Sequence, residues 1–473
     1  MKNSTAKTVA VALLLFASRA DAHAFGARYD LPLPLGLYLT AAGAAVAASF
    51  FGAITFLRGE RARILQIDLP VSPWLASAAK GALGTFGVFV LALLIGAAFL
   101  GPPEAVSNLA TIWVWVIWWV GFLLLSALIV GLWPYIDPFR IVARIAAGAF
   151  GRPWTGTGSL PPSAGLMAPI GLLAIAWVEL VSDWSENPAA VGTLILIYLT
   201  ISILGGLAFG MVWFLVADPL GRVFAVLGRM APITTPCRAT LRLRPPGEGL
   251  LDQDERPLGE VALISCLIGV VLFDGLSETP AWAAILEFVS ESQTLRPTLL
   301  WLREQGADLL KLIRTIGLCA TIATFYGTYW LLVLSMKLLV GGPLSTERLA
   351  RDFAGTLLPI AVAYHLSHYI SYLLIAGQLV FPAATDPFAM GWDLFGTRDW
   401  SIDVTVIGAE QIWWIAFTAL IIGHALSVLI GHRRALQVFG DPRDAAVSQI
   451  PMMFAMVGLT ALSLWILSQP ITE

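Results

Sequence analysis

The sequence predicts an all-α, polytopic transmembrane helical bundle of about ten spans behind a cleaved signal peptide. Three observations carry that reading. Of the 473 residues, 58% are hydrophobic and only 12% are charged, where a water-soluble domain carries about 25% charged residues. Mean hydropathy is +0.80, and apolar stretches of about twenty residues, each enough to cross a ~30 Å hydrocarbon core as a helix, recur along the chain. The basic residues, finally, fall almost entirely on one side of those stretches.

The elements follow in order. Lys2 and Lys7, the apolar run TVAVALLLFA and the small-x-small triplet Ala20-Asp21-Ala22 form a signal peptide over residues 1–22. Cleavage after Ala22 makes His23 the mature N-terminus and leaves 23–473 as one transmembrane domain. Ten spans are expected at about 35–57, 80–100, 109–132, 166–183, 189–215, 259–278, 315–337, 354–380, 410–431 and 447–468. If the first runs outside to inside, nineteen of the 28 Lys and Arg fall in the cytoplasmic connections, six fall outside and three in the signal peptide. The positive-inside rule then places both mature termini outside the cytoplasm, in the inner membrane of a bacterium. The three cysteines, Cys237, Cys266 and Cys319, offer no disulfide framework. The net charge of −3 gives no reason to expect nucleic acid as a partner; the lipid bilayer is the partner that composition implies.

Among the connections, Asp137-Pro138 and Asp218-Pro219 pair a capping residue with a proline suited to the first helical position. The segments they open, PFRIVARIAAGAF and PLGRVFAVLGRM, read either as short helices in the cytoplasmic interface or as helix extensions bent at proline. A polar cytoplasmic loop is expected over about 216–258. On the outer side, ELVSD (179–183) and DGLSE (274–278) each put two carboxylates four residues apart, on one helical face. Glu179 and Asp183 can thus converge with Asp274 and Glu278 on an outward cavity, or simply decorate outer helix ends.

Five histidines occur in all, and three gather at one expected depth. His365 and His368 lie near the middle of the eighth span, about 18–22 Å below its outer end, and His424 lies about 21 Å below the outer end of the ninth. A polar group in hydrocarbon must find a partner. Three readings are open: a metal site, since neutral imidazole is a common ligand of Zn and Cu; a haem axial pair; or histidines satisfied by Tyr364, Ser367, Tyr369 and backbone. No H-E-x-x-H zinc-protease motif occurs. His432, beside Arg433 and Arg434, reads as an interface residue. His23, with its free α-amino group, is a further metal candidate. The outer loop 381–411 carries Asp386, Asp393, Asp399 and Asp403 as possible ligands or entrance residues, with Trp392, Trp400, Trp413 and Trp414 as an interfacial belt.

Four stretches, HAFGARYDLPLPLGLYL, YHLSHYISYLL, DPFAMGWDLFGT and GHALSVLIGHRRAL, together resemble the bacterial family of multi-span membrane proteins known as fenitrothion hydrolase. The resemblance spans the mature chain. It implies cleavage of the P–O–aryl bond of an organophosphorus triester with release of a nitrophenol, and a lipophilic small-molecule substrate reaching the site from the bilayer. Family motifs map onto His23, Arg28, Tyr29, Asp30, His365, His368, Asp386, Asp393 and His424. A divalent metal ion, Zn or Cu, is the cofactor that such hydrolysis would use, with His365, His368, His424 and His23 as metal candidates. The catalytic group is unassigned among Asp386, Asp393, Glu179, Asp183, Asp274 and Glu278. No H-x-H pair like that of soluble phosphotriesterases is present, so a partner subunit is an open alternative seat for the active site. The rival class is a permease or copper- or metal-handling protein that uses the same histidines as a transport site.

Overall fold

The ten apolar stretches all form membrane-length helices. In the computed structural model, which describes residues 34–56, 66–155, 159–237, 239–252 and 257–469, they are Leu35–Phe56, Pro73–Leu100, Leu109–Leu128, Pro162–Leu180, Pro188–Phe209, Leu258–Ser277, Leu309–Val340, Thr346–Thr385, Ala409–Phe439 and Pro442–Leu467. The chain is an all-α multi-pass bundle. The expected signal peptide lies outside the described residues.

The sixth span is the central post. Fifteen of its twenty residues are buried, and it packs against the fourth, seventh, eighth and tenth. Gly275 permits one close approach: a Cβ there would meet Tyr364 Oη of the eighth span at 2.7 Å and Ile466 of the tenth at 2.9 Å, the small-residue contact by which membrane helices pack. The eighth and ninth spans meet in the same way. A Cβ on Gly423 would lie 2.3 Å from that of Ala363 and 2.8 Å from the Pro359 carbonyl, and Ser367 donates to the Ala416 carbonyl at 3.1 Å.

The third and eighth spans are irregular. Half of the third, Trp113–Phe122, is a π-helix, in which each N–H bonds five residues back rather than four. The eighth begins as Thr346–Ala354, tightens into a 3₁₀ turn at Gly355–Leu357 and resumes as Leu358–Ile375.

At the arginine-rich end, Asp137 and Asp218 cap Pro138–Ala149 and Pro219–Gly228 by accepting from Arg140 N and Gly221 N. Both carboxylates are buried, and Tyr198 of the fifth span donates to Asp218. Burial, reinforced by the charge of Asp218, pushes Asp137 up to about 7, and burial pushes Asp218 up to about 6.

The 216–258 segment is more ordered than a polar loop. After Pro219–Gly228 it forms strands Ile233–Cys237 and Thr240–Leu243, and the latter also pairs antiparallel with Ile67–Pro70. Asp68 and Arg242 bond across that pair at 2.7 and 2.8 Å. Strands this short, with partners far apart in sequence, leave little periodic signal. Leu250 and Leu251 then turn inward, and Glu248 pairs with Arg433 at 2.6 Å.

Candidate metal centre

Asp274 and Glu278, one turn apart where the sixth span ends, face the eighth span across the Gly275 contact. His368 reaches over from that helix, and its Nε2 lies 2.9 Å from Asp274 Oδ2. Tyr369, the next residue, donates its hydroxyl to the same oxygen. One ligand atom each from Asp274, Glu278 and His368 lies within 4.8 Å of the other two. Among the described residues, no other group of three or more His, Cys, Asp or Glu side chains is so arranged.

Asp274 is buried, and Glu278 and His368 are half-buried. Asp274 is 3% exposed and Tyr369 2%, so the carboxylate survives only because donors face it. The Tyr364 ring stacks at 6.3 Å on that of His368, and its hydroxyl is buried without a protein partner. Glu179, from the last turn of the fourth span, interacts electrostatically with Asp274 and receives a hydrogen bond from the Trp119 side chain. Its Oε2 is buried with no partner. Acid charge concentrated in an apolar interior is costly unless a cation or protons offset it.

The three histidines do not form the expected trio. At about 100° per residue, Pro359, Ala363 and Ser367 make the face that packs on the ninth span, whereas His365 and His368 lie roughly 140–200° around the helix from Ala363. They point toward the third and sixth spans. His365 bonds to the Trp119 backbone and packs against the Tyr369 ring at 4.7 Å. It lines an apolar cavity of about 20 Å³ with Trp119, Leu172, Leu267 and Val271, room for one water, and its Nε2 has no protein partner. His424, on the ninth span, bonds to its own helix at Leu420 O, 2.8 Å away, and its Nε2 is likewise buried and unpartnered. Direct packing of the eighth and ninth spans leaves no slot between them for a porphyrin. His432 is buried rather than interfacial and accepts from Gln449 at 2.9 Å. His23, Arg28, Tyr29 and Asp30 lie outside the described residues.

The carboxylates divide in a similar way. Glu179, Asp274 and Glu278 belong to the centre; Asp183 does not. The fourth span ends at Leu180, where Val181 leaves helical geometry (φ −122°), so the four-residue spacing no longer keeps Asp183 on the face of Glu179. Asp183 pairs instead with Lys311 at 2.7 Å. Asp386 and Asp393 shape the outer loop: Asp386 accepts from Met390 N and Gly391 N, and Asp393 from Thr385 Oγ1 and Arg398 N. Asp403 caps a turn at Thr405, and those bonds hold its carboxyl below the usual range.

Trp119 escapes the sequence reading. Its indole serves Glu179 and its backbone serves His365, but nothing in WVWVIWWVGF separates it from Trp113, Trp115 or Trp118 as a membrane aromatic. The pairing of DGLSE with HLSHY was not legible either, since the sequence sets DGLSE at an outer helix end and His368 near the middle of its span.

The donors present fit a hard or borderline divalent ion. Two carboxylates and one imidazole resemble the mixed His/carboxylate sets that bind Zn²⁺ with a position left for water, and they lack the thiolate or thioether ligands that select Cu(I). No family profile, curated protein or solved structure matches this chain.

Proposed function

We propose that this chain is a membrane-embedded hydrolase of lipophilic phosphotriesters, with a divalent cation, Zn²⁺ before Cu, bound by Asp274, Glu278 and His368. The observation that carries the reading is the approach of those three ligand atoms to within 4.8 Å inside a helical bundle. The reaction class comes from the resemblance to fenitrothion hydrolase. A bound divalent ion supplies acidified water and polarises the phosphoryl or thiophosphoryl group. The chain's own residues supply the rest. Tyr369 fixes Asp274 through one carboxylate oxygen, which His368 Nε2 also meets at 2.9 Å. Glu179, with a buried Oε2 lacking a partner, is the group to receive the proton of the attacking water as the P–O–aryl bond breaks and nitrophenolate leaves. An apolar triester dissolves in the bilayer and reaches such a site from the side.

A second reading draws on a separate observation. Polar groups continue past the centre, from Asp274 to Glu179, through Trp119 to His365, with unpartnered atoms on Glu179 and His365. A chain of this kind also suits passage or relay of a cation or protons, so cation handling is the alternative.

The test is metal analysis of purified protein, alongside nitrophenol release from fenitrothion in proteoliposomes. Bound metal and release, both lost in Asp274→Asn and His368→Ala, support the hydrolase. Bound metal with no release, but with uptake of the same ion into the vesicles, transfers the centre to cation handling. No bound metal overturns the metal-dependent hydrolase and the handling of a metal cation.

A further inference from the structure

A second site lies at the arginine-rich end, outside the metal centre and independent of the reading above. Helix Pro138–Ala149 packs Phe139, Ala143 and Ala147 inward, against the fifth span and its neighbours. It closes with Gly151 in the left-handed region (φ +61°) and Arg152 N bonded to Ala147 O at 2.8 Å. That turn fixes the backbone of Arg152 beside a groove of about 390 Å³, lined by Phe150, Arg152, Leu204, Leu207 and Ala208. Phe150 is 73% exposed and Leu204 60%. The Arg152 side chain is exposed, and no acidic residue pairs with it among the described residues.

The groove does not end at the guanidinium. Ile197, Ile201, Leu204 and Ala208 are exposed and recur at helical spacing along the fifth span, making an apolar track of about 16 Å that runs from the membrane interior to Arg152. An unpaired cation at one end and a hydrocarbon track at the other match one kind of molecule, an amphiphile with an anionic head and an acyl tail. Arg144 is exposed on helix Pro138–Ala149, eight residues before Arg152 in the chain, and adds to the local positive potential that draws anionic lipid.

We propose that this groove binds an anionic phospholipid of the arginine-rich leaflet, with its phosphate on Arg152 and one acyl chain along Ile197, Ile201 and Leu204. The test uses the full-length chain in mixed micelles of phosphatidylglycerol and phosphatidylcholine, with native mass spectrometry reading which lipid stays bound. Wild type should retain phosphatidylglycerol preferentially. Arg152→Gln should lower that preference about fivefold, the scale expected for one basic side chain at a lipid surface, and Leu204→Trp, which fills the groove, should lower retention with Arg152 intact. Both positions are exposed, and an unchanged melting temperature confirms folding. Equal retention of the two lipids by wild type, or a preference that survives Arg152→Gln, overturns the proposal.

Discussion

Tyr369 donates to the carboxylate that His368 also bonds, so its hydroxyl orients a candidate ligand without being one. Tyr369→Phe should therefore leave the fold intact and weaken metal binding by about 10–100-fold, the usual cost of losing a supporting hydrogen bond; titration with Zn²⁺ checks this. His368→Ala removes a ligand and leaves Asp274 short of a donor, so it should abolish stoichiometric metal and also lower the melting temperature. At the other end, Asp137 titrates at about 7 in the folded chain against about 3.8–3.9 when unfolded. The folded state thus binds the extra proton between those values, and stability should fall as pH rises from about 4 to about 7. Asp137→Asn keeps the cap and should flatten that slope, a change of order a few kcal/mol across the window, readable from detergent melts at successive pH. The sequence displayed every one of these side chains. It could not display their rotation: whether His365 and His368 face the ninth span or the sixth depends on which side of the helix is small enough to pack, and Ala363, Ser367 and Gly423 decided that.

At the scale of elements, the spans were legible because hydrocarbon demands long, unbroken apolar helices, and that demand is written in every residue. Their contacts were less so. Gly423 is where the eighth and ninth spans touch, and Gly423→Ala would drive a methyl into Ala363 and the Pro359 carbonyl. It should cost about 1–3 kcal/mol, measurable as a lower melting temperature, and an Ala363→Gly second change should recover part of it. The π-helix at Trp113–Phe122 was invisible because its composition is that of any aromatic-rich span. Deleting one residue within it, Val114 for example, should let the segment return to α geometry and turn the Trp119 indole away from Glu179. Metal affinity and melting temperature would report the change together. The β-hairpin at the arginine-rich end was missed for a simpler reason: its third strand comes from about 170 residues earlier, and pattern reading sees only neighbours.

For the whole molecule, the charge bias predicts that the arginine-rich end lies in the cytoplasm. In intact cells, a membrane-impermeant maleimide should label Glu304→Cys, in the connection before the seventh span, and leave Pro343→Cys, in the one after it, unlabelled until the membrane is opened. The reverse pattern would turn the molecule over and put the candidate metal centre nearer the cytoplasm. The sixth span, finally, limits how such a molecule can move. Many carriers work by tilting one half of the fold against the other about a substrate held at the seam. Here the helix bearing Asp274 is largely buried against the fourth, seventh, eighth and tenth spans, so parting two halves about it would have to break contacts along its length. Opening toward either side of the membrane would have to come from small, local swings of side chains such as Tyr364, and a fixed workplace entered from the lipid suits this architecture better than a turnstile.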